Sequence, residues 1–226
     1  ASWLFDRDDG TLTRLFSARP WIEHVPLART TAVTIRARDG LGLISYLTLP
    51  VDRQPDMRLP LVLLVQGGPW ARDRFGYDNE RQWLANRGYA VLAVNFRGST
   101  GFGKAFLAAA RGEWGAKMDD DLIDAVEWAV ASGVADPARI AIMGGSYGGY
   151  AVLSGMTRSP HVYACGVDVV GPSSLETLMA SIPPYWEAQR VMLYRAVGDP
   201  RTEAGAALLR ERSPLHRADR IARPLL

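Results

Sequence analysis

The stretch Gly144-Gly145-Ser146-Tyr147-Gly148-Gly149-Tyr150 has the residue types and spacing best suited to chemistry in this 226-residue sequence. The apolar run Arg139-Ile140-Ala141-Ile142-Met143 precedes it and the helix-forming run Ala151 to Met156 follows. That pattern reads as a strand, a tight turn and a helix, with the Ser146 hydroxyl at the apex of a Gly-x-Ser-x-Gly nucleophile elbow. Glycines are required there because the serine backbone is strained and its neighbours must pass close to one another. The turn also sets the Tyr147 N–H at a helix N-terminus, where it can stabilise a developing oxyanion. The alternative is a Gly-rich turn without chemistry. The strand before it and the helix after it favour the nucleophile.

An oxyanion needs a second donor. The segment Gln66-Gly67-Gly68-Pro69-Trp70 leaves the end of an earlier apolar run, Leu61 to Val65. In proteins with this elbow, the corresponding loop supplies a backbone N–H, commonly from a His-Gly-Gly sequence. Gln66 stands here where histidine is usual. Gly68 is the preferred donor and Gly67 the second choice. An ordinary Gly-Gly-Pro turn is the alternative, and the elbow downstream decides against it.

The elements that must position these groups follow from pattern. Leu61 to Val65 and Ala90 to Val94 are continuous apolar runs, as in strands buried on both faces. Helices are predicted from Asp78 to Arg87, with Gly88 as a stop signal, and from about Met118. The latter helix carries Leu122, Ala125, Val126 and Ala129 at helical spacing. Its Asp119-Asp120-Asp121 run has the composition of a metal site, but is expected to be a solvated helix start that complements the dipole. A further strand is expected from Tyr163 to Val169, and the stretch Gly171 to Ser213 is expected to be mainly helical. Strand and helix alternation gives a doubly wound, mostly parallel α/β sheet. Two hairpins precede it, Trp3 to Phe16 around Asp8-Asp9-Gly10 and Ala32 to Leu49 around Asp39-Gly40. A linker with Pro20 and Pro26 separates them, and a loop from Val51 to Leu59 follows. Arg223-Pro224-Leu225-Leu226 reads as the opening of another buried strand.

Composition excludes several function classes. A net charge of +2 argues against a nucleic-acid partner, which needs a clustered basic face. No apolar run is long enough to span a membrane. The single Cys165 precludes a disulfide framework and is expected to be a buried strand thiol. No Cys/His cluster has metal-ligand spacing, so no metal and no cofactor is expected. The first residues lack the basic head and apolar core of a signal peptide, which leads to the expectation of a cytoplasmic protein. A homo-oligomer is compatible with the sequence, which leaves the oligomeric state open.

Taken together, Gln66-Gly67-Gly68-Pro69-Trp70-Ala71-Arg72-Asp73, Asn86 to Val91, Asn95-Phe96-Arg97-Gly98-Ser99-Thr100-Gly101-Phe102-Gly103 and Gly144 to Tyr150 resemble the catalytic domain of the prolyl oligopeptidase family, especially its acylaminoacyl-peptidase-like bacterial branch. Gly171-Pro172-Ser173 and Arg212-Ser213-Pro214-Leu215 fit as well. The resemblance implies an α/β-hydrolase fold over residues 27–226, preceded in residues 1–26 by the last hairpin of a β-propeller and a linker. It implies a serine peptidase acting on short peptides, with Ser146 as nucleophile and the Tyr147 and Gly68 amides as oxyanion donors. An aromatic-lined pocket is implied as well, with Tyr185 and Trp186 either lining it or serving as packing aromatics.

Ser146 also needs a base and an orienting carboxylate. After Ser146 the sequence offers only His161 and His216. The first falls between the elbow helix and the next strand, away from the strand ends that carry chemistry, and the second at a helix start. Asp199-Pro200-Arg201 precedes the final strand, whereas the family's aspartate loop follows it. The resemblance therefore implies that the triad Asp and His lie beyond residue 226, that the catalytic domain lacks its last strands here, and that residues 1–226 alone have little activity. A carboxylesterase of the same fold and an inactive binding module are the competing readings.

Overall fold

The apolar runs become the strands that their composition predicts. The computed structural model describes residues 2–54 and 56–226; Ala1 and Pro55, the latter inside the expected 51–59 loop, lie outside the described residues. Six strands form the main sheet: β3 (Arg29–Arg36), β4 (Gly42–Leu49), β5 (Leu59–Val65), β6 (Ala90–Val94), β7 (Ala135–Gly145) and β8 (Cys165–Val169). Their spatial order is β3-β4-β6-β5-β7-β8. The β3–β4 hairpin joins antiparallel to β6, and β6, β5, β7 and β8 run parallel. Every residue of β6 is buried, as a parallel strand covered on both faces requires.

Alternation along β5 divides the core into two layers. Leu61, Leu63 and Val65 face the larger one, with Phe96, Met118, Leu122, Ile142 and Tyr150. Val62 and Leu64 face the opposite layer, with Leu84 from α1 (Asn79–Asn86), and with Val91. Asp78 caps α1 by accepting from the Arg81 N–H at 2.9 Å. Helix α2 (Lys104–Ala108) and the long α3 (Lys117–Ala131) connect β6 to β7, and α4 (Tyr147–Arg158) connects β7 to β8. After β8 come α5 (Leu175–Ala180), a 3-10 turn over Pro184–Trp186, α6 (Glu187–Ala196), α7 (Glu203–Glu211) and a 3-10 stretch over Pro214–Arg220. Residues 224–226 then run parallel to β8: the Gly166 N–H donates to Pro224 O at 3.0 Å and the Asp168 N–H to Leu226 O at 2.7 Å. Leu226 is exposed here rather than buried.

The first hairpin, β1 (Ser2–Phe5) with β2 (Leu12–Phe16), is a separate two-stranded antiparallel sheet. Trp3, Leu4, Phe5, Leu12, Leu15 and Phe16 are each more than half exposed.

Two further expectations are overturned, at the start of α3 and at Cys165. The acidic run at the start of α3 is not a solvated face: Asp119 is 3% exposed and Asp121 is fully buried. Groups distant in sequence replace the water. Asp121 accepts from the Arg97 backbone N–H (2.8 Å), Nε (2.9 Å) and Nη2 (2.6 Å). Arg97 also donates to Asp39 in the β3–β4 turn at 2.9 and 3.1 Å. Asp119 accepts from the Ser154 hydroxyl of α4 at 2.5 Å, and Asp120 pairs with Arg158 at 2.8 Å. Burial lifts the Asp119 carboxyl to about 6, against the opposing pull of the Ser154 bond and the Arg158 charge. Cys165 is half-buried in β8 rather than fully buried.

Candidate active site

Ser146 is the single residue between the end of β7 and the start of α4, with φ 57° and ψ −118°. A non-glycine residue in that region is strained, so surrounding contacts must hold it. The Ser146 N–H donates to Val169 O at 2.9 Å, and its carbonyl accepts from the Tyr150 N–H at 3.0 Å. The flanking glycines are dictated by close approach. A Cβ on Gly148 would lie 2.1 Å from Val65 O, and one on Gly149 would lie 2.1 Å from Asp168 Oδ1. The elbow is thus main chain packed against main chain, with the Ser146 side chain exposed at its tip. No hydrogen bond engages the Ser146 hydroxyl among the described residues.

The residue after the nucleophile has a divided role. The Tyr147 N–H is the first of α4, one of the donors that a helix leaves without an internal acceptor. Its ring is buried against Trp114 (centroids 4.6 Å apart, edge-on), Phe96 (5.4 Å) and Tyr150 (5.7 Å). The Tyr150 hydroxyl donates to Arg212 O at 2.9 Å. Burial pushes both tyrosine hydroxyls well above their ordinary range, so they stay protonated at neutral pH.

The loop after β5 meets the elbow as expected. A Cβ on Gly67 would lie 3.1 Å from Gly145 O and 3.5 Å from Ser146 Cβ, so a side chain there would crowd the elbow and glycine lets the loop pass this close without displacement. Gly68, at φ 133°, lines the same cavity as Ser146 and Tyr147. Gly67 faces a second, smaller cavity with Asp73 and Gly145. Gly68, Tyr147 and Ser146 therefore come together, with Gly67 beside them.

The shared cavity has a volume of about 790 Å³. Its walls include Trp70, Trp114, Ile182, Met192 and Leu193, and among the described residues no acidic or basic side chain lines it. Tyr185 and Trp186 also line it, their rings perpendicular at 6.3 Å. Tyr185 is 80% exposed, which identifies it as a rim residue and not as core packing. Val170 also lines the cavity, at φ 53° and 85% exposed. Sequence reasoning did not single out Trp114, Val170 or Leu193 as lining residues. A tryptophan between Gly112 and Gly115 was the one available signal.

The remaining titratable groups stand elsewhere. His161 lies beside Glu127, Val130 and Pro137, near the start of β7 and so at the opposite end of the sheet from Ser146. His216 Nε2 lies 2.5 Å from Glu176 Oε2. The Asp199 carboxylate holds Arg201 at 2.7 and 2.9 Å. Among the described residues no histidine lines the Ser146 cavity, and no group of three or more His, Cys, Asp or Glu is placed to hold a metal ion. No helix among them is long and apolar enough to cross a membrane.

Comparison with known proteins agrees with this geometry. A model of the prolyl oligopeptidase family matches residues 75–226. Dipeptidyl aminopeptidase BIII of Pseudoxanthomonas mexicana is 60% identical over 228 residues, an alignment covering 98% of this chain and 33% of that protein. Dipeptidyl peptidase family member 6 of Caenorhabditis elegans is 43% identical, covering 99% of this chain and 33% of that protein. A puromycin-hydrolyzing peptidase of Mycobacterium tuberculosis superposes with a TM-score of 0.81 at 31% identity, covering 99% of this chain and 34% of that one. The chain thus spans about a third of the length of the relatives it matches.

Proposed function

Since the chain belongs to the prolyl oligopeptidase family, we propose that it carries the nucleophile and the oxyanion-stabilising groups of a serine peptidase that hydrolyses short peptides. The observation that supports this most directly is the convergence of Ser146, the Tyr147 amide and Gly68 on one apolar cavity. In this reading Ser146 Oγ attacks the scissile carbonyl carbon. Negative charge gathers on the carbonyl oxygen, where the Tyr147 and Gly68 N–H groups, Gly67 standing behind them, meet it without reorganising. Collapse expels the amine and leaves an acyl-enzyme, which water hydrolyses.

The apolar, uncharged walls suit a hydrophobic substrate side chain seated against Tyr185 and Trp186. An imidazole and a carboxylate must relay the Ser146 proton. His161 and His216 stand away from Ser146, so the reading assigns that pair to polypeptide outside residues 1–226. It also assigns residues 27–226 to the catalytic unit and the β1–β2 hairpin to a neighbouring one, consistent with the hairpin's exposed apolar side chains.

The test is Ser146→Ala in the full-length protein, assayed with a chromogenic short peptide amide bearing an apolar residue before the scissile bond. A loss in kcat of about 10⁴-fold or more is expected. Fluorophosphonate labelling located on Ser146 should disappear with it. Turnover within tenfold of wild type would overturn the reading.

A further inference from the structure

The two glycines of the oxyanion loop pose a problem that the rest of the site does not solve. Gly67 and Gly68 have the widest conformational freedom of any residue and no side chains to pack, so their amides must be held from the flanks. A displaced donor weakens transition-state stabilisation without weakening substrate binding.

The flanks converge on one side chain. The Gln66 Nε2 amide group donates to Ala71 O at 3.2 Å and to Ser99 Oγ at 3.0 Å. The first bond closes residues 66–71 into a ring around Gly67 and Gly68. The second ties that ring to the loop after β6. Both amide hydrogens are used, and Gln66 Oε1 is buried without a hydrogen-bond partner, so the side chain acts through its donors alone.

The anchor at the other end is rigid. Ser99 is fully buried, on a loop whose Arg97 is fixed by Asp121 and Asp39. The same loop grips the oxyanion segment twice more. The Thr100 N–H donates to Ala71 O at 2.8 Å, and the Asp73 N–H donates to Asn95 Oδ1 at 2.9 Å. The Asn95 Nδ2 group in turn donates to Ile44 O in β4 at 3.0 Å. The far part of the loop is thus held through its own backbone groups, at Ala71 and Asp73, and at its near part, next to the reacting atoms, Gln66 is the side chain of the described residues that bonds back onto the loop.

We propose that Gln66 is a positioning residue for the oxyanion hole, acting through Ser99 and the Ala71 carbonyl to fix where the Gly68 and Gly67 amides point. The proposal rests on the serine peptidase reading and adds to it which side chain sets the geometry of the donor loop.

The experiment uses the full-length protein and compares Gln66→Met, which keeps the volume and loses both donors, with Ser99→Ala, which removes one acceptor. Three quantities are read: kcat and KM on a short peptide amide, and the Ki of a peptide trifluoromethyl ketone, whose adduct with Ser146 places an oxyanion in the hole. For Gln66→Met the expected result is a fall in kcat of about tenfold or more, a rise in Ki of similar size, and KM within about twofold of wild type. Ser99→Ala should show the same split at about threefold, and the double variant should be no worse than Gln66→Met alone, since both remove one shared bond. Unchanged kcat and Ki in a folded Gln66→Met protein would overturn the proposal. So would a loss carried by KM alone, or a fall in kcat with Ki unchanged. Should Gln66→Met not fold, Ser99→Ala decides on the same criteria. An inactive Ser146→Ala protein alongside an unaffected Gln66→Met protein would sink this inference and leave the peptidase reading standing.

Discussion

The cavity at Ser146 has two walls made by opposite means. On one side, β5, β7 and α4 meet through their main chains, with Gly148 against Val65 O, Gly67 against Gly145 O, and Tyr147 buried among aromatic rings. On the other, the segment from Pro183 to Leu193 presents Tyr185, Trp186 and Met192, all substantially exposed. The difference follows from what each wall must do. Reacting groups tolerate displacements well under an ångström, so they belong on packed elements whose positions backbone contacts dictate. Accommodating a substrate side chain demands only apolar area and some adaptability, which exposed aromatic and methionine side chains supply.

Three experiments can break or sharpen this contrast. The largest effect is expected from Gly148→Ala, where the added methyl would sit 2.1 Å from Val65 O and neither backbone can yield without moving the sheet. A loss of about 3 kcal/mol or more, or failure to fold, is expected in chemical denaturation. A variant of near-normal stability would show that the elbow wall is as compliant as the other.

The second concerns the support beneath the elbow helix. The Asp119 carboxyl is raised by burial from 3.8 to about 6, so the folded protein holds its proton more tightly than the unfolded chain. Protons bound in the folded state exceed those in the unfolded state between those pH values, so this group adds stability as pH falls through that window and withdraws it as pH rises. Wild type measured against Asp119→Asn should therefore gain about 2 kcal/mol in relative stability between pH 7 and pH 4. Asp73, which burial also raises to about 6, is common to both proteins and cancels. A flat difference across that range would contradict the assignment.

The smallest effect on the fold is expected from Trp186→Ala on the exposed wall. KM for peptides with an aromatic residue before the scissile bond should rise by about three- to tenfold while kcat and Tm hardly move. A fall in Tm comparable to that of Gly148→Ala would erase the distinction between the walls.

What could be read from the sequence follows the same division. The elbow and its loop were legible because their chemistry imposes glycines at short, fixed spacings around Ser146 and at Gly67 and Gly68. Leu61 to Val65 of β5 and all of β6 were legible as unbroken apolar runs, whereas β7 was legible only from Arg139 on, because its opening Ala135-Asp136-Pro137-Ala138 carries no such signal. The burial of Asp119 and Asp121 was not, because the groups that replace their water, Ser154, Arg97 and Asp39, lie on other elements far along the chain. An acidic helix start with unseen partners reads as a solvated one. The cavity lining was illegible for the same reason: Trp70 follows β5, Trp114 follows β6, and Val170 and Leu193 follow β8, and only folding brings them together. Nor does the sequence reveal that Val170, rather than the adjacent Gly171, takes the positive φ.

The pairing of β5 with β7, Val65 opposite Gly144, has a metric consequence. The nucleophile leaves the end of one strand and the loop donor leaves the end of its hydrogen-bonded neighbour. The span between them is therefore set by the repeat of the sheet, about 4.8 Å between adjacent strands. That spacing belongs to every parallel pair of polypeptides, whatever side chains they carry. The width of the reaction centre is thus a constant of the peptide backbone, and descendants of this chain can change their diet by rewriting the rim without ever having to measure the gap again.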